Sequence, residues 1–366
     1  MELKVFNREL ELLGIIDSFT SLRWIRRYYK SGEFELHCLL TTEALELLKP
    51  ENIIYKGRRE AVYINKRELT LNDEGEEVLK VQGHSLTKYI HRRINWGRLM
   101  MIGTVEEVMH RLVYNHCVNP SDSSRKIEQL KLGSLTGLGK KISYQNSYGN
   151  ILDCLEALGT DSGYGYGIFI NPEYQELLFE VYEGRDLSAN QSTNPPCIFS
   201  RELENVYSQT YIDSRENYRN TCLIGGAGED EERKLTSIEY GSGLDRYELF
   251  VDAREISDKE KVNEQEQEIS WDRYEPLLLQ KGSEKLACYQ NIRTFDSKVN
   301  IGGNLVYQQD YDLGDIVTCY DPQWGITVDE RITEIEEIYE GNRMSVSCTF
   351  GHNTPTLIDK IKTRMR

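Results

Sequence analysis

Apolar and polar residues alternate over much of this chain, with the period of two expected of half-buried strands. Toward the end, Asp315–Tyr320, Ile326–Ile332 and Met344–Phe350 are β-branched or aromatic runs set off by Asp-Pro, Gly and Gly-Asn breaks, which predicts strands joined by turns. The same texture fills residues 1 to 98. Leu13–Trp24 and Glu33–Leu40 are apolar-rich runs flanking the polar stretch Arg26–Gly32, a long hairpin or loop. Ala44–Leu48 reads as one helical turn before Pro50, and Glu60–Ile64, Glu68–Leu71 and Glu77–Gln82 read as further strands around an Asn72–Gly75 turn. Ser85–Ile94 then predicts a short helix capped by Ser85. Such a set of strands with one small helix is enough for a compact barrel.

At Thr104 the period changes. Val105, Val108, Met109, Leu112 and Val113 recur at helical spacing, Thr104 is an N-cap with Glu107 three residues on, and Asn119-Pro120 stops the helix. A second helix over Ser147–Leu158 and strands at Gly165–Ile170 and Glu176–Tyr182 complete an α/β domain over 99–188. Ser188–Pro196 is polar and proline-ended, a linker. Beyond it, Asn205–Ile212, Tyr218–Ile224, Arg233–Tyr240 and Tyr247–Asp252 read as strands, followed by an acidic stretch and a helix over Trp271–Tyr289. The predicted fold is a β-rich α+β chain with two small β-barrel domains, one over 1–98 and one over 197–257 and 295–352. The α/β domain lies between them, 258–294 is a lateral helical insertion, and 353–366 is a C-terminal helix or tail. No repeat of fixed period is visible.

A 42.5 kDa chain exceeds one ordinary core, in keeping with several modest domains. Net charge of -16 argues against a surface built to grip nucleic acid or an anionic membrane. No apolar run approaches membrane-spanning length and no charged-then-apolar leader opens the sequence, so a soluble protein made in the cytoplasm is expected. The 23 tyrosines suit half-buried strands and protein interfaces. Eight cysteines stand singly with no C-x-x-C pair, as buried free thiols do, which disfavours disulfides and zinc.

Candidate chemistry is sparse. Gly225–Gly228 follows a strand as a phosphate-cradling loop would, but no Lys-Ser/Thr follows and Glu229–Glu232 would repel phosphate, so a hairpin turn is expected. His110 and His116 do not share a helix face; His84 and His91 could, but no H-E-x-x-H accompanies them. Catalytic residues, metal ligands and cofactor-binding residues are therefore expected to be absent. Basic clusters at Arg23-Arg26-Arg27-Lys30, Lys56-Arg58-Arg59, His91-Arg92-Arg93 and Lys360–Arg366 read either as docking surfaces for acidic neighbours or as solvated faces balancing local acid.

The order of parts carries a resemblance. A Leu313–Val317 entry strand, an Arg331–Glu340 strand, a Thr349–Gly351 exit and a Pro355–Lys362 helix resemble the barrel that closes the hub, or tail-associated baseplate, proteins of bacteriophage tails and phage-tail-like particles, especially siphovirus-type tail tips of Gram-positive hosts. Leu12–Asp17, Ser31–Leu36 and Val78–Leu86 look like the opening barrel of the same proteins, and Asn217–Asn220, Ile224–Gly226 and Gly243–Asp252 like the second. The resemblance implies a non-enzymatic structural subunit of a virion or tail-like particle, assembled in the host cytoplasm. It implies a homotrimeric ring whose two barrels per chain match a hexameric tail tube above and a spike or fibre below. Implied partners are the tail tube or distal tail protein, a spike, fibre or tape-measure protein, and baseplate wedge proteins if the tail is contractile; no cofactor and no specific nucleic-acid binding are implied. Arg23, Arg26, Arg27, Tyr28, Tyr29 and Lys30 become candidate tube- or partner-docking residues. The alternatives are a tail-associated cell-wall hydrolase, which a convergent carboxylate or nucleophile–base pair would favour, and a carbohydrate-binding receptor module, which a Trp/Tyr-lined groove would favour. The stop soon after Pro355-Thr356 is expected to leave no room for a lytic module.

Overall fold

In the computed structural model the described residues are 1–71, 75, 77–262, 265–341 and 343–351; the expected C-terminal helix lies outside them. The N-terminal part holds β1 (Leu3–Phe6), β2 (Leu12–Ile16), β3 (Ser21–Arg27), β4 (Glu33–Leu39), helix α1 (Thr42–Leu47), β5 (Ile53–Gly57), β6 (Glu60–Leu71) and β7 (Glu77–Ser85). They pair antiparallel in the order β3-β4-β7-β6-β5-β1-β2. Alternation drives the arrangement: Phe34, Leu36 and Cys38 of β4 point into a core with Leu22, Trp24, Val81 and Ile54, while Glu33, Glu35 and His37 face away. Ser85 does not cap a helix. Its hydroxyl accepts from the Gly32 amide at 3.1 Å and pairs with Ser31 Oγ at 3.0 Å, and a 3₁₀ helix follows over Leu86–Arg92.

The middle part comprises β8 (Arg98–Thr104), α2 (Val105–Val113), β9 (Leu130–Leu132), β10 (Lys141–Ser147), α3 (Ile151–Ser162), β11 (Gly165–Asn171) and β12 (Glu176–Tyr182). A capping box starts α2: the Glu107 amide donates to Thr104 Oγ1 and the Thr104 amide to the Glu107 carboxylate at 2.7 Å. Asn150 caps α3, three residues later than the sequence-based start, and Gly163 ends it in the left-handed region at φ 83°. Val108, Met109, Leu112 and Val113 are fully buried. Their core does not stop at residue 98; it runs on into Phe6, Ile53, Tyr63, Leu86 and Ile90 of the N-terminal part.

The C-terminal part contains β13 (Ile198–Phe199), β14 (Val206–Ser214), β15 (Thr221–Gly225), β16 (Leu235–Ile238), β17 (Glu248–Asp252), β18 (Lys259–Val262), β19 (Gln265–Glu268), α4 (Trp271–Ala287), β20 (Ile292–Val299), β21 (Ile316–Asp321), β22 (Ile326–Glu340) and β23 (Arg343–Gly351). Because β14 pairs directly with β20, from Val206↔Val299 to Ser214↔Ile292, everything between them is an excursion. The insertion therefore spans 215–291, not 258–294. Three strands expected in the second barrel instead form a separate sheet, β16-β15-β17, with α4 packed on it. Gly282 permits that contact, since a Cβ there would sit 2.3 Å from Ile224 Cδ1. Gly225–Gly228 forms part of the β15–β16 connection, in line with the turn reading.

Residues 188–196 are not a loose linker. The Ala189 amide donates to Thr318 Oγ1 at 2.8 Å, Asn190 to Asp329, and Gln191 Nε2 to the Ser188 and Asn194 carbonyls, which docks the segment on β21 and β22. Nor are there two separate barrels. β3 pairs with β22 from Ser21↔Glu340 to Arg27↔Glu334, so both halves join one sheet in the order β14-β20-β23-β22-β3-β4-β7-β6-β5-β1-β2, and this path does not close among the described residues. The physical reason is length: β22 outruns β21, and its continuing edge of amides and carbonyls takes β3 as partner.

The halves are alike in topology. In chain order β3, β4, β6, β7 lie as β3-β4-β7-β6, and β14, β20, β22, β23 lie as β14-β20-β23-β22. Each third strand carries a short outer partner along its first part, β5 on β6 and β21 on β22. Each then bulges, between Ile64 and Lys66 and between Ile332 and Glu334.

Candidate functional site

The Arg23–Lys30 segment lies at the seam where the two halves meet. Period two splits it: Trp24 and Arg26 turn toward the core, while Arg23, Ile25 and Arg27 face the other side of the sheet. Tyr28 is fully buried at the junction of all three parts. Its amide donates to the Thr333 carbonyl at 3.0 Å, and its hydroxyl donates to the Tyr182 carbonyl at 3.1 Å. Gly165 and Gly314 press on its ring; a Cβ at either would lie 2.4 or 2.3 Å from a ring carbon. Tyr29 gives its carbonyl to the Tyr166 hydroxyl at 3.0 Å. Of the six candidate docking residues, only Arg23 and Lys30 are exposed. Tyr28 is buried and offers no surface, and Arg26, Arg27 and Tyr29 are half-buried.

Arg26 anchors a buried ionic network that joins the halves. It pairs with Glu60 of β6 and, at 2.5 Å, with Asp312, and donates to the Tyr307 hydroxyl at 3.1 Å. Burial works against its charge, but Glu60, Tyr307 and Asp312 outweigh it and hold the guanidinium protonated. Beside it, Lys56 of β5 reaches Glu337 of β22 at 2.6 Å, and the Tyr307 and Tyr339 hydroxyls donate to the same carboxylate at 2.7 and 2.5 Å. Burial alone would push the Glu337 carboxyl up; Lys56 and the two hydroxyls bring it below the usual carboxylate range. Lys56, Glu60, Tyr307, Asp312, Glu337 and Tyr339 were not singled out from sequence as members of one site. One signal for them exists: Glu337 falls in phase with Ile335 and Tyr339, a carboxylate on an apolar stripe.

The opposite face of the fused sheet is polar across the seam. One row runs Thr210, Asp296, Thr349, Glu334, Arg27 from β14 to β3; the next runs Ser208, Lys298, Ser347, Glu336, Ile25, Glu33, His84 from β14 to β7. Four of its cations are paired: Arg23 with Glu336, Arg27 with Glu334 at 2.6 Å and Glu33 at 2.8 Å, Lys80 with Glu35 at 3.0 Å, Lys66 with Glu68 at 2.7 Å; Lys298 is exposed and makes no ion pair among the described residues. From β3 to β6 the face therefore carries charge that is largely paired, and it presents little apolar surface.

The cavity against Trp24, Arg27, Tyr166 and Phe169 holds about 70 Å³, well under the roughly 300–1,000 Å³ of small-molecule sites. A second, of about 380 Å³, is a polar recess lined by Arg215, Tyr218, Gln290, Asn291, Arg293 and Glu330, with one carboxylate and no His or Cys in its lining. Among the described residues no group of three or more His, Cys, Asp or Glu is placed to hold a metal ion. Seven cysteines are buried free thiols and Cys288 is exposed. His116 is buried with both ring nitrogens unpartnered, and burial followed by the nearby Arg125 brings its pKa down to about 4.

This architecture is that of phage tail proteins. The 43 kDa tail protein of prophage MuSo2 from Shewanella oneidensis is similar over 96% of this chain and 98% of its own, with TM-score 0.58 and 12% identity. The tail protein from Neisseria meningitidis MC58 is similar over 96% of both chains (TM-score 0.57, 12% identity), and prophage tail protein gp18 from Listeria monocytogenes EGD-e over 100% and 98% (TM-score 0.56, 11% identity). No curated protein sequence matches. The family described as Siphovirus ReqiPepy6 Gp37-like protein matches residues 2–352, and the chain belongs to it.

Proposed function

We propose that this tail protein is the hub subunit of the tail tip or baseplate: a non-enzymatic homotrimer that joins a hexameric tail tube to the distal spike or fibre. The observation that carries the reading is the β3–β22 seam, which sets two four-stranded units of the same topology side by side in one sheet. Three such chains present six like units, the number needed to meet a six-fold tube while keeping a three-fold axis for a spike. The polar face of the sheet lines the passage, where most cations are already paired with carboxylates and the hold on a passing polyanion is weak. The buried network at the seam keeps the two units in fixed register. Arg23 lies on the face that lines the passage, and Lys30, exposed in the β3–β4 connection, is the residue of that segment placed to meet a neighbour. Gold-labelled antibody against the chain, imaged on intact particles, tests the placement: label at the distal end of the tail is expected, and label on the head or along the tube contradicts it.

A further inference from the structure

The strand that changes partners at the seam has a counterpart whose second partner is missing. β22 pairs with β21 as far as Arg331, bulges, and takes β3 from Glu334 to Glu340. β6 pairs with β5 over Glu60–Tyr63 and bulges in the same place, but from Lys66 to Leu71 it has β7 on one side and no described strand on the other. Exposure follows the missing partner. Ala61–Ile64 are buried, whereas Leu69 is 55% and Leu71 68% exposed; Glu337, the position in β22 matching Leu69, is 1% exposed. The strand equivalent to β3 is β14, which pairs only with β20 and leaves its outer edge open at the far end of the same sheet. Neither edge carries the proline that commonly blunts an open strand.

We propose that the outer edge of β6, Lys66–Leu71, pairs antiparallel with β14 of a second copy of the chain, as β22 pairs with β3 within one chain. This rests on the ring reading above and supplies its interface. The register follows from matching rows. Lys66, Gln82, Glu35 and Arg23 lie across β6-β7-β4-β3 as Glu334, Thr349, Asp296 and Thr210 lie across β22-β23-β20-β14. At the seam Ile338, four residues beyond Glu334, lies opposite Arg23. Thr70, four beyond Lys66, therefore lies opposite Thr210 of the neighbour. Arg67 then meets Asp213, and Leu69 meets Tyr211, an opposite-charge pair and an aliphatic–aromatic pair on one face, both favourable across strands. The contact is head-to-tail, so each copy uses one edge and offers the other, and the chain of copies closes as a ring.

Cysteine pairs in assembled particles test the register. In a Cys288→Ser background, Thr70→Cys with Thr210→Cys is expected to give disulfide-linked trimers and nothing larger. Thr70→Cys with Tyr211→Cys puts the thiols on opposite faces and is expected to give at least about tenfold less linkage. A second measurement does not depend on thiols: Asp213→Arg alone is expected to block incorporation, and Arg67→Asp with Asp213→Arg to restore it. A three-fold ring in the particle map without the Thr70–Thr210 linkage, or without rescue by the charge swap, overturns the register and leaves the ring reading standing. Linkage that stops at dimers overturns the head-to-tail contact. Particles holding the chain with no three-fold ring defeat both.

Discussion

Lys56 and Glu337 are 281 residues apart in sequence and 2.6 Å apart in the fold, where one closes the N-terminal half and the other belongs to the longest strand of the C-terminal half. Glu337 is 1% exposed, so its charge depends on that contact and on the Tyr307 and Tyr339 hydroxyls. Glu337→Ala leaves Lys56 buried with Glu60 as its other carboxylate, at 3.5 Å. The expected loss is about 3 to 5 kcal/mol in chemical denaturation, the usual range for removing one member of a buried pair. Because the folded Glu337 carboxyl is held below its unfolded value, its contribution is present above pH about 4.3 and is lost as pH falls through the folded value. Acid titration of wild type against Glu337→Gln reads this directly; curves that stay parallel below pH about 4.3 would contradict it.

Leu112→Ala should cost about 2 to 5 kcal/mol, since Leu112 is fully buried in the core that the middle part shares with the N-terminal half. That core is continuous, so the loss should appear in a single transition covering both parts. A melt in which residues 99–188 unfold alone would contradict the shared packing.

His116 is neutral in the fold and charges in the unfolded chain. Its folded pKa of about 4 lies below the unfolded value near 6.5, so its contribution is complete above pH about 6.5 and is lost progressively down to about 4. His116→Gln is expected to flatten the fall of melting temperature across that window. Equal slopes for variant and wild type would place the titration elsewhere.

On the polar sheet face the guanidiniums of Arg23 and Arg27 are paired with carboxylates. Glu33→Gln, Glu334→Gln and Glu336→Gln together remove the carboxylates from Arg23 and Arg27. The triple variant should gain weak duplex-DNA binding at low salt, with a slope of log K against log salt of about -2 for two phosphate contacts. Gel shifts in which variant and wild type behave alike would show that pairing is not what keeps the face non-adhesive.

Local period was readable in the sequence, and pairing at a distance was not. Thr104 and Glu107 with the apolar positions from Val105 to Val113 predict α2 and its cap closely, because all the contacts that decide it lie within ten residues. The Arg26–Gly32 stretch connects β3 and β4 as the expected hairpin, but its burial was not legible, because charge was read without partners. Glu60, Asp312 and Thr333, which bury it, lie in three distant segments. The 215–291 insertion was placed too narrowly for the same reason: strands at Thr221, Leu235 and Glu248 are legible as strands, but only the β14–β20 register shows that they stand outside the main sheet. Tyr28 had no local signal, since its burial is set by Gly165 and Gly314, two close approaches from elsewhere in the chain.

The two like units fused at β3–β22 are proposed to build a six-unit ring from three chains. A reconstruction of the tail tip without imposed symmetry, with the chain traced into the map, tests it most directly. Three copies around one axis, each contributing its β14-to-β6 sheet to a continuous wall with the polar face inward, is the expected result. Six copies, a single copy, or three copies with that face turned outward would contradict it.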